Sequence, residues 1–400
     1  MNAVAPSERV MMVLKGYEIP EDEAAAQYYN TCLIGGLLRK GATVNAVVRR
    51  NEKGLVDTRG NVRIDRIMRA GFMGYVDALK HARATRPSVI HVQHEIFMYG
   101  GILAAISFPL FVYRLRAKAP VVVTLHHVVR MEDVSPDFLE AHNTWLPLSV
   151  IKPVLRSIYT LLRVSRARFI VHHQRFADVL VKEYGFDERR VDVVPHGYFE
   201  RPKNTRERAV QDLHRGTFCF FGHIDPRKDI DFLIDEFARF ASKNPGCTLV
   251  IAGNDHPRLH ARPEYQTYLS NLKEKASRSP SVVWRGEVPN QQLPDFLESV
   301  DCVVLPYRQV HGASSVLAYA AGYRRLMVVS KELLPFYPQA AASFDRTPGA
   351  LESALSGLVL LDAPAIGDLL QKNDDAIQGM DWDSVARKTL LAYGRAQAGA

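Results

Sequence analysis

The stretch TFCFFGHIDPRKDIDFLIDEF, residues 217–237, decides the fold of the second half of the chain. An apolar run ends in Gly222, and a short polar loop with two adjacent cations, Arg227 and Lys228, leads into an amphipathic segment. A glycine lets the backbone approach a ligand closely, and a helix N-terminus beside cations attracts anions. The stretch therefore predicts a strand, a phosphate-binding turn and a helix.

The same alternation of apolar strands and amphipathic helices extends in both directions from this stretch. Runs such as VVVTLHH (121–127), TLVIAGN (248–254) and CVVLPY (302–307) are separated by longer helical patterns. Continuous apolar strands joined by helices are typical of a parallel sheet covered on both faces. We therefore predict an α/β fold with two doubly wound, Rossmann-like parallel-sheet domains that face each other across a cleft.

A charged, apolar-poor segment near residue 200 interrupts the alternation and predicts a domain boundary. We assign residues 1–200 to an N-terminal, acceptor-side domain and residues 201–378 to a C-terminal domain for the donor. The capped amphipathic pattern at 379–400 predicts a last helix that crosses back to the N-terminal domain. A chain of 400 residues, 47% of them apolar, is long enough for two such cores.

The composition indicates a reducing compartment and argues against structural zinc. The four cysteines are scattered, without a Cys-x-x-Cys pair or histidines at metal-binding spacing. The N-terminus lacks the order of a signal peptide, and no apolar run approaches about 18 residues. We expect a cytoplasmic protein that contacts the membrane, if at all, peripherally on its inner face.

The net charge of +8 is concentrated in the N-terminal half, where residues 141–177 contain no acid but several cations. Within residues 145–169, Lys152, Arg156 and Arg163 share one side of a helical pattern. An apolar stripe accompanies them, formed by Val154, Leu155, Ile158, Leu161 and Leu162. This pattern is typical of a helix on an anionic membrane surface, although a helix that packs within a domain is also amphipathic. No nucleic-acid motif accompanies the charge, so no nucleic acid is expected.

A second candidate phosphate site lies in GASSVLAYAAG, residues 312–322, directly after CVVLPY. Ser314 and Ser315 fall at the predicted start of a helix, where the backbone N–H groups carry about half a positive charge. Taken alone, ordinary capping explains these serines better. Because Lys228 is predicted at the end of another strand of the same sheet, we interpret the two features together as a diphosphate site.

Polar residues also follow predicted strands of the first domain. His126 and His127 end VVVTLHH, and Glu95 ends VIHVQHE. Tyr17 follows the first predicted strand. A histidine at a strand end is often structural, but the carboxyl ends of parallel strands border the ligand crevice. These residues are therefore candidates for the acceptor side of the cleft.

Asp229 and Asp231 have the spacing of a metal-binding Asp-x-Asp motif. They fall in the first turn of the predicted helix, however, where acids stabilise the helix dipole. The aspartates could also simply cap this helix and leave Arg227 and Lys228 in solvent. We predict no metal site and no cofactor.

In order and spacing, these motifs resemble those of the retaining, GT-B-fold glycosyltransferases of family 4. The resemblance covers nearly the whole chain and is strongest from 217 to 330. It implies that Lys228 contacts the diphosphate of a nucleotide-sugar donor and that His126 lies near the transferred sugar. It also implies that Asn254, with the 284–288 segment, lies by the base. Gly222 and Arg227 are the further donor-site candidates from the stretch 217–237.

Two departures from the family pattern concern this donor site. The usual Gly-Arg pair is Gly222-His223 here, and the usual pair of glutamates falls on Val310 and Ala318. The family pattern therefore does not settle how this site recognises the ribose or which donor it takes.

One branch of the family is similar in carrying LPYR and a serine-containing turn in place of the acid-bearing segment. In that comparison Arg308, His311 and the Ser314–Ser315 turn take over donor contacts. The resemblance thus implies a donor site built from cations, hydroxyls and backbone N–H groups.

The resemblance implies a metal-independent, retaining transfer of a sugar from a nucleotide sugar to a saccharide or a lipid-linked saccharide, as in bacterial surface polysaccharide synthesis. The departing phosphate itself takes the acceptor proton, so we assign no side-chain nucleophile. Loss of both glutamates favours an alternative, a non-catalytic glycosyltransferase-like subunit that binds nucleotide or acts as a scaffold.

Overall fold

The computed structural model describes residues 8–17, 29–51, 55–96, 98–141, 146–199, 216–256, 259–310 and 312–399. Two predictions concern positions outside these residues: the domain boundary between residues 200 and 201, and the donor contact of His311. The strands form two separate sheets, one in each half of the chain.

The N-terminal sheet has eight strands: β1 (Arg9–Val13), β2 (Thr43–Arg49), β3 (Val56–Arg59), β4 (Val62–Met68), β5 (Val89–His94), β6 (Val121–Leu125), β7 (Arg168–Val171) and β8 (Val191–Val193). Their order is β3-β4-β2-β1-β5-β6-β7-β8. Every pair is parallel except β3 with β4. All residues of β5 and β6 are buried, as expected of central strands in a parallel sheet that is covered on both faces.

The edge hairpin of β3 and β4 is absent from the sequence prediction. Strand β3 is mostly exposed, and β4 carries three charged residues, so neither shows the apolar run of a central strand. A two-residue loop joins them, with Gly60 at a φ of 54°. Only this Gly-Asn loop gives a hairpin signal in the sequence.

The C-terminal sheet has six parallel strands: β9 (Thr217–Phe221), β10 (Thr248–Ala252), β11 (Val282–Gly286), β12 (Cys302–Leu305), β13 (Leu326–Ser330) and β14 (Ala342–Phe344). Their order is β11-β10-β9-β12-β13-β14. The chain leaves β9 on one side toward β10 and returns on the other side at β12. The crevice between β9 and β12 is therefore the topological switch point, where ligands bind in open parallel sheets.

Helices cover both sheets: α1 (Tyr29–Arg39), α2 (Phe72–Thr85), α3 (Ile102–Arg116), α4 (Pro136–Ala141), α5 (Leu148–Val164), α6 (Gln174–Asp178), α7 (Ile230–Lys243), α8 (Pro263–Ser277), α9 (Leu293–Ser299), α10 (Ser315–Gly322), α11 (Ala350–Val359), α12 (Ala363–Ile377) and α13 (Trp382–Ala398). No single described helix has the length and hydropathy of a membrane span, although the bent pair formed by α11 and the α12–α13 segment meets the criteria together.

The last helix, α13, packs on the N-terminal half of the chain. The Tyr393 hydroxyl lies 2.7 Å from Nδ1 of the buried His91, and Asp383 accepts hydrogen bonds from Arg39 and Lys40 at 2.7 and 2.9 Å. Gly36 of α1 leaves room for this contact, since a Cβ there would lie 2.6 Å from the carbonyl oxygen of Trp382. Helix α13 therefore links the end of the chain to the first sheet.

The apolar stripe predicted for residues 145–169 is largely a packing surface. Leu155 and Leu162 on α5 are buried, and Val154 and Ile158 are half-buried, while Leu161 is exposed. Helix α5 packs against α3, which accounts for the burial. The structure thus assigns most of that stripe to the core of the domain.

Candidate active site

A cavity of about 610 Å³ lies between the two halves of the chain at the carboxyl ends of the C-terminal strands. The loops after β9, β10, β11 and β12 and the start of α10 line it. Tyr29 and His127 line it from the N-terminal half, and Phe199 from the segment that precedes the second sheet. This is the size and position expected of a small-molecule site in an open parallel sheet.

Lys228 lies in this cavity on the loop between β9 and α7. Its Nζ donates a hydrogen bond to the carbonyl oxygen of His223 at 2.9 Å and lies over the rings of Phe220 and Tyr307 at 5.6 and 5.4 Å. Gly222 has a φ of 112°, and a Cβ there would lie 3.3 Å from Nζ. The glycine therefore leaves the ammonium group open to a ligand.

Arg227 is held by an acid of its own loop. Its guanidinium donates to both carboxylate oxygens of Asp225, at 3.0 and 2.6 Å. Burial works to raise the pKa of Asp225, but the hydrogen bonds and charge of Arg227 outweigh it and lower that pKa to about 2. Because this pair neutralises Arg227, Lys228 is the cation better placed to meet an anionic ligand.

Both aspartates of the Asp-x-Asp pair form ion pairs with basic side chains. Asp229 accepts from Arg308 at 2.6 Å and from Arg346 at 3.1 Å, and Asp231 accepts from Lys275 at 2.8 Å. Within the described part of the chain no group of three or more potential metal ligands occurs. These ion pairs support the interpretation of the aspartates as structural.

The turn before α10 faces Lys228 across the cavity. Ser314 and Ser315 both line the cavity, and Ser314 is the N-cap residue of the helix without a capping bond from its side chain. The Tyr307 side chain is hydrogen-bonded to Ser314. The helix N-terminus and the serine hydroxyls therefore add donors beside the ammonium group of Lys228.

The loops that carry these groups are joined by their backbones. The Arg308 N–H donates to the carbonyl oxygen of Arg227 at 2.8 Å, which ties the loop after β12 to the loop after β9. The Arg308 side chain points instead to Asp229 and lines a neighbouring cavity of about 220 Å³. The sequence predicts that the Arg308 side chain contacts the donor, but this side chain lies outside the lining of the main cavity.

The positions of the family's two glutamates carry apolar residues against an aromatic wall. Val310 lines the cavity, and Ala318 is buried, with its carbonyl oxygen accepting from the Phe199 N–H at 3.3 Å. Phe199 stacks on Tyr319 with ring centroids 4.0 Å apart, and both rings line the cavity. A flat ring or sugar face can pack there, where the glycosyltransferases that the sequence resembles carry carboxylates.

Asn254 and His223 also line the cavity. The Asn254 amide donates to Glu287 at 2.7 Å, and both residues line the cavity. Burial and the nearby Lys228 lower the pKa of His223, so its imidazole is neutral near pH 7. His223 therefore does not replace the charge of the family's arginine at neutral pH.

Of the two histidines at the end of β6, His127 rather than His126 lines the cavity. His126 faces inward, with Nε2 2.7 Å from Oε1 of Gln93 and Nδ1 3.1 Å from Nε2 of His172. Burial, followed by the charges of neighbouring histidines, holds the pKa of His126 well below its ordinary value. This arrangement does not support a direct catalytic contact of His126, because protein groups engage both of its ring nitrogens.

A buried polar cluster surrounds His126 and escapes the sequence prediction. His91 and Gln93 lie within β5, and His172 and His196 lie in the loops after β7 and β8. The ring of Tyr29 contacts His126, His172 and His196. Burial lowers the pKa of His172 to about 3 and that of His196 to about 4. His126 was selected because it follows a predicted strand. The same reasoning applies to VHHQ (171–174) and VVPHG (193–197), so the sequence did indicate His172 and His196.

The remaining acceptor-side candidates lie outside the cavity lining. Tyr17 is buried, which raises the pKa of its hydroxyl to about 12. Glu95 is half-buried in the loop after β5. The structure therefore brings together Lys228, the serine turn and His127, but does not bring Tyr17 or Glu95 to them.

The two halves of the chain touch at Gly312. Its backbone forms an antiparallel bridge with His127, and a Cβ at Gly312 would lie 2.3 Å from the carbonyl oxygen of His126. This contact sets the serine turn, two residues further on, against the end of β6. Sequence reasoning overlooked Gly312 as a functional position because only the tertiary approach requires a glycine.

The protonation of Lys228 predicts a pH limit for donor use. Burial, and next the adjacent Arg227, lower the pKa of Lys228 to about 8, although Asp225 works against this shift. If the ammonium form binds the donor, kcat/KM for the donor is full below this pKa and falls about tenfold per pH unit above it. Arginine stays charged throughout this range, so Lys228→Arg is expected to remove the alkaline fall. A flat profile from pH 7 to about 10 in the wild type would contradict this role.

The paired parallel sheets and the cavity between them define a two-domain protein of the GT-B type. Sucrose-phosphate synthase from Thermosynechococcus elongatus superposes with a TM-score of 0.71 at 14% identity, covering 98% of this chain and 100% of that chain. Anabaena HepE, in complex with UDP and glucose, has a TM-score of 0.63 at 14% identity and covers 96% and 99%. These similarities confirm the predicted fold.

Two family models match successive parts of the chain. Glycosyltransferase Family 4 matches residues 26–198, and Glycosyl transferases group 1 matches residues 215–336. The predicted glycosyltransferase class is confirmed by these matches.

Curated relatives match over shorter stretches. Mannosylfructose-phosphate synthase of Agrobacterium fabrum is 27% identical over 156 residues, which are 36% of this chain and 34% of that protein. D-inositol 3-phosphate glycosyltransferase of Nocardia farcinica is 28% identical over 181 residues, 43% of this chain and 40% of that protein. The chain thus spans less than half the length of these relatives.

Proposed function

We propose that the protein transfers a sugar from a nucleotide sugar, with retention at the anomeric carbon and without a metal ion. The observation that carries this proposal is the position of Lys228, whose ammonium group faces the serine turn of α10 in the cavity between the domains. A departing diphosphate placed there meets one cation, a helix N-terminus and two hydroxyls.

The reaction proposed for this site needs no side-chain nucleophile. The bond between the anomeric carbon and the diphosphate oxygen breaks, and the acceptor oxygen forms its bond on the same face of the sugar. The acceptor proton passes to the departing phosphate oxygen. The role of the protein is to hold both substrates in place and to stabilise the charge that develops on the diphosphate.

The donor and acceptor are proposed as classes. Two of the structural neighbours are described with UDP or a UDP-sugar bound, so UDP-sugars are the first donors to test. We propose a saccharide or a lipid-linked saccharide as the acceptor, as in bacterial surface polysaccharide synthesis. The excess of positive charge in the N-terminal half supports an acceptor held at an anionic lipid surface. The four cysteines all lie in the described part of the chain and form no disulfide bond there, which supports a cytoplasmic location.

A turnover assay tests the proposal. Purified protein is incubated with UDP-, GDP- and ADP-sugars and a saccharide acceptor, and released nucleoside diphosphate is measured with and without chelator. We expect release that depends on acceptor and is unchanged by chelator. Activity that chelator abolishes and manganese or magnesium restores would contradict the metal-independent mechanism.

A non-catalytic, nucleotide-binding or scaffolding subunit is the alternative, and the apolar residues Val310 and Ala318 are the observation that favours it. That alternative predicts binding of nucleoside diphosphate without transfer from any donor. The retained Lys228 and serine turn argue against a pure scaffold, which has no need of them. Transfer that depends on acceptor distinguishes the enzyme from a nucleotide-binding subunit.

Replacing both serines of the turn tests the second half of the diphosphate site. Ser314→Ala/Ser315→Ala is expected to lower kcat/KM for the donor roughly tenfold to a hundredfold, because two hydroxyl donors near the diphosphate are lost. The melting temperature should fall by only a few degrees, since Ser314 makes no capping bond with its side chain. Ser299→Ala, on α9, serves as a control with unchanged kinetics. Wild-type kinetics in the double variant would show that the diphosphate does not bind at the serine turn.

A further inference from the structure

Helix α3 exposes an apolar stripe that the core does not use. Leu103, Ile106, Leu110 and Tyr113 are 60%, 46%, 56% and 62% exposed. Their spacings of three, four and three residues place them along one side of the helix. The opposite side is buried as well as apolar, with Phe108, Phe111, Val112 and Leu115 among its residues. Helix α3 is therefore apolar on both its buried and its exposed side.

Such a helix is unusual at the surface of a globular domain, where the outer side of a helix is ordinarily polar. With 15 residues, α3 is about 22 Å long and too short to cross a hydrocarbon core of about 30 Å. Its length suits a position in the plane of a membrane interface, with the exposed side turned to the acyl chains.

Cations flank this stripe. Arg114 lies one turn after Leu110, and Lys118 follows the helix; both are exposed. At the same end of the helix, burial and then the charges of Arg190 and Arg166 lower the pKa of Arg116. A cluster of like charges beside an apolar stripe is complementary to an anionic lipid surface.

Helix α5, which packs beside α3, extends the exposed apolar surface with Leu161 and Val164, 50% and 55% exposed. It also carries the exposed Arg156 and Arg163. The acid-free segment 141–177, which contains α5, therefore lies beside the exposed apolar stripe of α3 and does not form it.

We propose that the exposed side of α3, Leu103, Ile106, Leu110 and Tyr113, inserts into the interface of an anionic membrane, with the cations at the α3 and α5 ends contacting lipid headgroups. The proposal concerns a surface outside the cavity and does not depend on the transfer activity. It differs from the membrane segment expected from the sequence, residues 145–169, because here α3 rather than α5 is the inserting element.

Vesicle co-sedimentation of the full chain tests the proposal. The vesicles contain phosphatidylcholine with phosphatidylglycerol, or phosphatidylcholine alone as the neutral arm, at about 0.1 M and about 1 M salt. We expect binding to the anionic vesicles at low salt that weakens at high salt. Ile106→Glu/Leu110→Glu is expected to lower the partition coefficient roughly a hundredfold, because each inserted aliphatic side chain accounts for about tenfold.

Two further variants separate the electrostatic contribution from the effect of adding charge at an unrelated surface. Arg114→Glu/Lys118→Glu is expected to lower binding roughly tenfold or more at low salt only, since its effect is electrostatic. Leu360→Glu, at a residue that is 84% exposed in the C-terminal half, is the matched control and should bind like the wild type. Melting temperatures of all variants report whether they are folded.

Three outcomes would overturn the proposal. One is equal recovery of the wild type in the supernatant whatever the lipid charge. Another is wild-type binding by folded Ile106→Glu/Leu110→Glu. The third is a lipid-independent dimer of the wild type that this variant converts to a monomer, because the stripe would then be covered by a second copy of the chain.

Discussion

Lys228→Ala is expected to lower turnover by about two orders of magnitude or more while the protein stays folded. The ammonium group lies in the cavity, held by the His223 carbonyl and the rings of Phe220 and Tyr307. A fixed charge that faces a departing anion in a water-poor site typically contributes about 3 kcal/mol to the transition state. Steady-state kinetics with the donor identified by screening, together with a melting curve, measure both expectations.

The matched control for this prediction is Lys275→Ala. Lys275 is another lysine of the C-terminal half, but it forms ion pairs with Asp231 and Asp235 and does not line the cavity. Its loss is expected to change stability by about 1 kcal/mol or less and to leave turnover within about twofold. An active, folded Lys228→Ala protein would place the diphosphate at another site.

Gly312→Val is expected to lower kcat by about a hundredfold, with a small change in melting temperature. A side chain at this position requires space that the His126 carbonyl occupies, since even a Cβ would lie 2.3 Å from that oxygen and 2.4 Å from Cδ2 of His127. The two halves would have to separate there, and the serine turn would move away from the end of β6. A displacement of about 1 Å at reacting groups can lower a rate about a hundredfold.

Gly367→Ala controls for the loss of a glycine as such. Gly367 lies in α12, and a Cβ there meets no atom within 4 Å, so this variant should keep wild-type kinetics. Small-angle scattering of both variants reports the separation of the two halves. Wild-type kcat in folded Gly312→Val would show that the contact between Gly312 and His127 is not needed for turnover.

The elements that position the donor site are predictable from the sequence because they depend on local patterns. Strand β9 and helix α7 lie in the stretch 217–237 where the sequence predicts a strand and a helix, since a buried aromatic run, a glycine and an amphipathic segment follow one another there. The short strand β14 is absent from the prediction. It has only three residues, of which one is buried, so its sequence carries no periodic signal.

The roles of individual side chains are less predictable because they depend on partners far away in the sequence. Arg308 follows a strand like any donor-binding cation, but its partner Asp229 lies 79 residues away. His126 and His127 are neighbours, and alternation along β6 ends at Leu125, so the sequence does not decide which of them faces the cavity. The bridge to Gly312, formed across the cleft, decides in favour of His127.

The exposed stripe of α3 is likewise not predictable from the sequence. An apolar helix next to a buried strand is ordinarily a core helix, and sequence composition does not distinguish its covered side from its open side. Only the packing of α2 and α5 beside α3 shows which apolar residues remain uncovered.

Binding of a nucleoside diphosphate to the purified protein in the presence of chelator tests the central claim most directly. Isothermal titration with UDP, GDP and ADP is predicted to show one of them binding to the wild type and roughly a hundredfold more weakly to Lys228→Ala. Bound ligand should also raise the melting temperature of the wild type by mass action. If no nucleoside diphosphate binds without a divalent metal, or if Lys228→Ala binds it as tightly as the wild type, the account of this cavity as a metal-independent diphosphate site is contradicted.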